Sequence, residues 1–139
     1  MEYQSSKDPK ITKKQIGYIH LLLGKIHWLE NKHWHLQQIT GKQMGFDHLT
    51  NSDAQKIIEV LRYNLKIKGK KTRGKIIHYL CLMGFVDRGG NPDWKRINSF
   101  IQKIGSNNPK KERLHELGLT ELNAVCTQVE QMYANQLKR

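Results

Sequence analysis

The chain lacks the residues and segments that define several classes of protein. Two cysteines in 139 residues, without a Cys-x-x-Cys pair, give no disulfide framework and indicate thiols in a reducing compartment. Its apolar runs are too short to span a bilayer, and the first residues lack the basic and apolar segments of a secretory signal. We therefore expect a soluble cytoplasmic protein that does not bind a membrane.

Motifs of catalysis are also missing. There is no Gly-x-Ser-x-Gly, no His-Glu-x-x-His and no Walker loop, and the segment 69–74 lacks the Gly-Lys-Ser/Thr ending of a phosphate loop. His33 and His35 would point apart on a helix, and neither cysteine is near them in sequence. The carboxylates form no obvious acid–base pair. We expect no enzymatic activity, no cofactor and no metal site.

Acidic residues are scarce relative to basic ones. Only 12 Asp and Glu accompany 24 Lys and Arg, which gives a formal net charge of +12. Such an excess favours an anionic partner, because the negative charges of a partner would offset the repulsion among the protein's own positive charges. Nucleic acid is the usual partner, with an anionic membrane or an acidic protein surface as alternatives. A surface that is merely basic and solvated is the simpler interpretation.

The basic residues concentrate in two segments. Residues 66–75 contain six Lys and Arg, two Gly and no acid, which predicts a mobile linker whose cations contact phosphates. Residues 110–113 form a second cluster. The candidate nucleic-acid-binding residues are Lys66, Lys68, Lys70, Lys71, Arg73, Lys75, Lys110, Lys111 and Arg113.

Apolar residues recur at the helical period, and no stretch alternates long enough to predict a strand. The prediction is an all-α protein with about six helices. We expect a flexible tail over 1–9, a helical lobe over 10–65, the basic linker over 66–75 and a second lobe over 76–139. The predicted caps are Thr12, Gly41, Thr50 with Asp53 three residues later, and Thr120. A turn is expected over 87–92, with a helix that starts near Asp93.

The helical pattern occurs twice. The aligned pairs are Ile16–Ile26 with Ile76–Val86, Leu36–Gly41 with Phe100–Gly105, and His48–Thr50 with Gly118–Thr120. Duplication would give two related three-helix lobes, an arrangement that suits binding better than catalysis. Coincidental helix patterning is the alternative.

Short motifs follow one another along about residues 10–137, including Lys13-x-Gln15 before Ile19-His20, Thr40-Gly41-Lys42, Leu49-Thr50 and Gly84-Phe-Val-Asp87. Their order resembles that of the GemA-like regulatory proteins of Mu-type phages and prophages. The chain departs from that pattern at Trp28–Trp34. The resemblance implies a phage regulator inside the bacterial host that alters gene expression and DNA supercoiling. It brings no catalytic residues.

These features predict a regulatory protein that binds DNA, mainly through basic loops on phosphates. The alternative is an adaptor that docks on a host polymerase, topoisomerase or nuclease through an apolar groove between the lobes. An assembly scaffold is a third possibility. Two finer expectations are that Arg96, Asn98 and Gln102 share a helix face that reads bases, and that a short turn before the last helix resembles a helix-turn-helix. Among the aromatics, Trp34 and Trp94 are expected in the core and Trp28 exposed.

Overall fold

The computed structural model describes residues 8–42 and 45–138, and these form α-helices and two short 3-10 helices without a strand. The helices are α1 (Lys13–Lys25), α2 (Lys32–Thr40), α3 (Asn51–Leu82), α4 (Trp94–Gln102) and α5 (Leu119–Leu137), with 3-10 helices at Phe46–His48 and Leu114–Glu116. The all-α prediction is confirmed, with five α-helices in the described residues where about six were expected. The chain divides into an N-terminal unit up to Ile67 and a C-terminal unit from Lys68.

The basic segment 66–75 is helical. It lies wholly inside α3, which runs for 32 residues from Asn51 to Leu82, and the division between the units falls within this helix. Lysine is a good helix former, and each interior glycine costs only about 1 kcal/mol relative to alanine. Buried apolar residues on both sides of the segment, such as Leu65 and Ile76, stabilise the helix. The segment is therefore not the mobile linker that its composition predicted.

The predicted caps of the N-terminal unit are confirmed. The Thr12 hydroxyl accepts from the Gln15 amide at 3.1 Å, and the Gln15 side chain accepts from the Thr12 amide at 2.9 Å. At the start of α3 the Thr50 hydroxyl accepts from the Asp53 amide at 3.2 Å, while Asp53 accepts from the Thr50 amide at 3.0 Å. Gly41 ends α2 with φ 74°, in the left-handed region that glycine adopts without strain.

The expected N-terminal tail is only partly covered, because residues 1–7 lie outside the described residues. Its last two residues are hydrogen-bonded. The Asp8 carboxylate accepts from the hydroxyl of Ser52 at 3.1 Å, and the Pro9 carbonyl accepts from the Asn51 amide at 2.7 Å. Asp8 and Pro9 thus belong to the N-terminal end of α3 rather than to a flexible tail.

Asp53 makes the stability of this unit depend on pH. Burial alone would raise the pKa of its carboxyl, but the hydrogen bond and charge of Lys42, at 2.6 Å, and the bonds with Thr50 hold that pKa below its ordinary value of 3.8. A lowered folded-state pKa gives stability that is present above the unfolded-state pKa and is lost as pH falls through the folded-state pKa. The unit should therefore lose stability in acid below about pH 4.

Asp53→Asn should lower the free energy of unfolding by about 1–2 kcal/mol at neutral pH, because it removes a charged hydrogen-bond acceptor. The difference from the native chain should shrink as the pH falls through the folded-state pKa, because the native carboxyl then becomes protonated too. Urea unfolding at a series of pH values from neutral to acid measures this. A difference that stays the same over the whole series would show that the Asp53 charge does not stabilise the fold.

The C-terminal unit contains its own core. Residues of α3, α4, the second 3-10 helix and α5 are buried together, including Ile76, Ile97, Leu114 and Val125. Cys126 lies in this core, where burial first and then the neighbouring Glu130 raise its thiol pKa to about 11. A thiol with that pKa stays protonated at neutral pH, which suits a structural role.

The turn and the helix starts of the C-terminal unit agree with those predicted from the sequence, except at the start of α5. The Asp87 carboxylate holds the turn after α3 by accepting from the Gly89 amide at 2.8 Å, and Asp93 caps α4 by accepting from the Arg96 amide at 3.2 Å. The predicted N-cap at Thr120 is wrong, since α5 begins at Leu119 and Gly118 occupies the cap position. The 3-10 helix ending at Glu116 leads into α5 earlier than the Leu-Thr pattern indicated.

Candidate nucleic-acid interface

The part of α3 in the C-terminal unit has a buried side and a lysine side. Its buried side consists of residues four, three and four positions apart, the spacing of one helix face: Gly69, Arg73, Ile76 and Leu80. Lys68, Lys71 and Lys75 are exposed and lie within about 60° of one another on the outer side. Lys70 is also exposed but lies about 100° or more around the helix from each of them, on the other flank of the buried side. We call these four exposed residues the lysine face.

Two residues of the predicted linker set stand apart from the lysine face. Lys66 is exposed but belongs to the N-terminal unit. Arg73 is buried, with 6% of its surface exposed, so it is removed from the set of phosphate contacts. A Cβ added at Gly69 would overlap the Arg73 guanidinium. The guanidinium therefore occupies space that is free only because residue 69 is glycine. Burial lowers the pKa of Arg73.

The lysine face lies in an acid-free stretch. No Asp or Glu occurs from Val60 to Val86, so the helix cannot form the i,i+4 ion pairs that normally stabilise basic helices. Lys71 and Lys75 are themselves an i,i+4 pair of like charges, which destabilises a helix by about 0.2–0.5 kcal/mol. A bound polyanion would relieve this repulsion.

The second predicted cluster lies on a loop held by Asn108. The buried Asn108 amide group donates to the carbonyl of Ile101 at 2.8 Å and that of Glu112 at 2.7 Å, while its oxygen accepts from the Glu112 amide at 2.9 Å. Lys110, Lys111 and Arg113 are exposed on this loop. Lys111 has φ 53°, a left-handed conformation that costs a non-glycine residue about 1 kcal/mol or more. The loop is thus a fixed platform for its cations.

The side chains expected to read bases do not share a free face. The Asn98 oxygen accepts from the Leu114 amide at 3.1 Å, and the Arg96 guanidinium donates to the Gly84 carbonyl at 3.0 Å. Sixteen residues, 103–118, separate α4 from α5, whereas a helix-turn-helix has a turn of about three or four residues. The C-terminal unit therefore has exposed cations, but its described residues do not form a helix-turn-helix.

The tryptophans are arranged differently from the prediction. Trp34 is 60% exposed and Trp94 is 40% exposed, so the expectation that both are core residues is wrong. Trp28, the expected exposed aromatic, is partly buried and stacks on His35 with ring centroids 3.9 Å apart. Trp34 is two positions from the buried Leu36 and so lies away from the buried side of α2.

His20 is partly buried and lies next to the core residue Ile19 in the sequence. Its Nδ1 lies 3.0 Å from the Ile16 carbonyl oxygen, and its Nε2 lies 3.1 Å from Lys32 Nζ. These contacts match a tautomer in which Nδ1 donates and Nε2 accepts. Within residues 8–42 and 45–138, no three His, Cys, Asp or Glu side chains come together as a metal site. Over the same residues, no helix combines the length and apolarity needed to cross a membrane.

A cavity beside α4 was missed by the sequence reasoning. It is an open depression at the surface, with a volume of about 630 Å³, and is lined by Phe85, Lys95, Arg96, Ser99, Phe100 and Lys103. The signal that could have revealed it is the spacing of Lys95, Ser99 and Lys103, which places them on one helix face one turn apart. We call this feature the α4 cavity.

Comparisons with protein-family models, with curated proteins and with solved structures find no match for this chain.

Proposed function

We propose that the chain binds DNA through phosphate contacts made by the C-terminal unit. The observation that carries the proposal is the lysine face, four exposed lysines within about two turns of the acid-free stretch of α3. Duplex DNA presents one negative charge per about 1.7 Å of its axis, so lysines spread over about 10 Å of helix meet several phosphates. Lys110, Lys111 and Arg113 would add contacts from the Asn108-held loop.

The arrangement favours binding with little sequence selectivity. Lysine approaches phosphate as a point charge and carries no base-specific donor pattern. Direct readout needs side chains that reach base edges, and Asn98 and Arg96 already have partners within the protein. The role of this binding would be regulatory, in line with the resemblance to GemA-like proteins of phages and prophages. If the two lobes arose by duplication, each would present a related surface for binding.

Lysine footprinting tests the proposal residue by residue. Acetylation of the protein with and without a duplex of about 30 base pairs, read by mass spectrometry, should show protection of Lys70, Lys71, Lys75, Lys110 and Lys111. The exposed Lys13, Lys14 and Lys56 serve as internal controls and should keep their reactivity. Equal protection of all these lysines would indicate diffuse charge attraction and contradict a defined interface.

The adaptor alternative remains a second proposal because the α4 cavity provides a surface suited to a partner. In that version the protein acts on a host polymerase, topoisomerase or nuclease without contacting DNA. This adaptor alternative predicts that the protein has no affinity for DNA even at low salt. Protection of the lysine face by DNA would count against it.

A further inference from the structure

We propose that the α4 cavity binds an acidic peptide segment that carries an apolar anchor residue. This site goes beyond the proposed DNA binding and uses none of the residues of the lysine face or of the Asn108-held loop. Its volume of about 630 Å³ lies within the range of about 300–1,000 Å³ typical of ligand sites. The partner would be a protein whose acidic segment lies along α4.

The cations of the cavity define the charge of its occupant. Lys95 and Lys103 are exposed at the two ends of one face of α4, with the Ser99 hydroxyl between them. Successive members of this row are four residues apart, which corresponds to a rise of about 6 Å. No carboxylate lines the cavity, and in the described part of the chain no ion pair engages these lysines. Acidic side chains spaced by one helical turn would match the row.

The floor of the cavity is apolar. The rings of Phe85 and Phe100 meet at 66° with centroids 5.4 Å apart, and both pack against the core of the C-terminal unit. The Arg96 guanidinium lies 5.0 Å from the centroid of the Phe85 ring and is fixed there by its bond to the Gly84 carbonyl. An apolar side chain of the partner would rest on these rings while its acidic neighbours pair with the lysines.

The same floor explains why a peptide fits better than a nucleobase. Bases stack on open, flat aromatic faces. The Phe85 ring is already covered by Arg96 and meets Phe100 at an angle, so it offers no such platform. Carboxylates around an apolar anchor combine the two properties that the cavity offers, cationic rim and apolar floor.

Fluorescence anisotropy of a fluorescein-labelled peptide, EEDLFDEE, at low salt tests the proposal. The native chain should bind it, and the double variant Lys95→Glu, Lys103→Glu should bind it at least about tenfold more weakly because two attractions become repulsions. Ser99→Trp keeps the charge and places a bulky ring in the cavity, so it should also weaken binding. Both changes are at positions outside the buried core, and circular dichroism of the variants checks that they fold.

Two comparisons separate this site from general charge attraction and from DNA binding. The peptide EEDSSDEE, which lacks the apolar anchor, should bind several-fold more weakly than EEDLFDEE. Glutamine at Lys68, Lys70, Lys71 and Lys75 should leave peptide binding unchanged. The proposal is overturned if the native chain does not bind EEDLFDEE, if both peptides bind equally, or if the double variant reduces DNA binding as strongly as peptide binding. Failure of DNA binding alone leaves the peptide result intact.

Discussion

Glutamine in place of Lys68, Lys70, Lys71 and Lys75 is expected to weaken binding to duplex DNA by two to three orders of magnitude at about 0.1 M salt. Each lysine that contacts a phosphate displaces a counterion, and this contributes about 0.9 to the slope of log affinity against log salt. Loss of four contacts should therefore make the slope shallower by about 3.6. All four side chains are exposed on α3, so the substitutions should leave the fold intact.

A matched control has the same net charge. Glutamine at Lys10, Lys13, Lys14 and Lys56 also removes four positive charges, from exposed positions in the N-terminal unit. This variant should lose much less affinity, and its salt slope should stay close to that of the native chain. Electrophoretic mobility shift or anisotropy titrations over a salt series measure both variants. Equal losses in the two would mean that net charge, rather than the lysine face, determines binding.

Alanine at Gly69 and alanine at Gly74 are expected to change stability in opposite directions. At Gly69 an added Cβ would lie 2.8 Å from Leu122 Cδ1 and overlap the Arg73 guanidinium, both in the packed interior. This crowding should lower the free energy of unfolding by about 1–3 kcal/mol. At Gly74 an added Cβ meets nothing within 4 Å, so Gly74→Ala should raise it by about 0.5–1 kcal/mol through helix propensity.

The pair tests whether residues 66–75 are helical, because both variants change the unfolded chain in the same way. Chemical unfolding gives the free energies, and far-ultraviolet circular dichroism reports the helix content. In a mobile linker neither glycine would have a fixed environment, and the two alanine variants would have nearly equal stability. That outcome would contradict a continuous α3.

Local signals in the sequence predicted the helix ends well. Thr12 and Thr50 cap their helices through hydrogen bonds to residues three positions away, and Gly41 adopts the left-handed conformation that ends α2. These interactions lie within a few residues of one another, so the sequence contains them directly. The prediction for Thr120 was wrong because α5 already begins at Leu119, with Gly118 at the cap position.

The segment 66–75 was misjudged because its structure depends on distant residues. Gly69 and Arg73 fit together against Leu122, which lies about fifty positions further along the chain. Composition alone shows glycines and lysines and therefore indicates a loop. The same tertiary packing buries Arg73, so one predicted phosphate contact proved to be interior while its neighbours on the outer side are exposed.

The cations of the α4 cavity cannot be found by counting charges along the sequence. Lys95 and Lys103 belong to no basic run, so clustering along the sequence does not select them. The turn that Asp87 holds after α3 brings Phe85 beside α4, so Phe85 and the two lysines line one cavity. Besides the lysine face and the Asn108-held loop, for which we propose phosphate contacts, the C-terminal unit thus has exposed cations for which we propose carboxylate partners.

The most direct test of the central claim is the affinity of the native chain for duplex DNA across a salt series. The lysine face predicts tight binding at low salt and a log–log slope of about −4 or steeper, which corresponds to at least four phosphate contacts. Absence of binding at low salt, despite a net charge of +12, would contradict the account and make the protein-binding alternative the leading one.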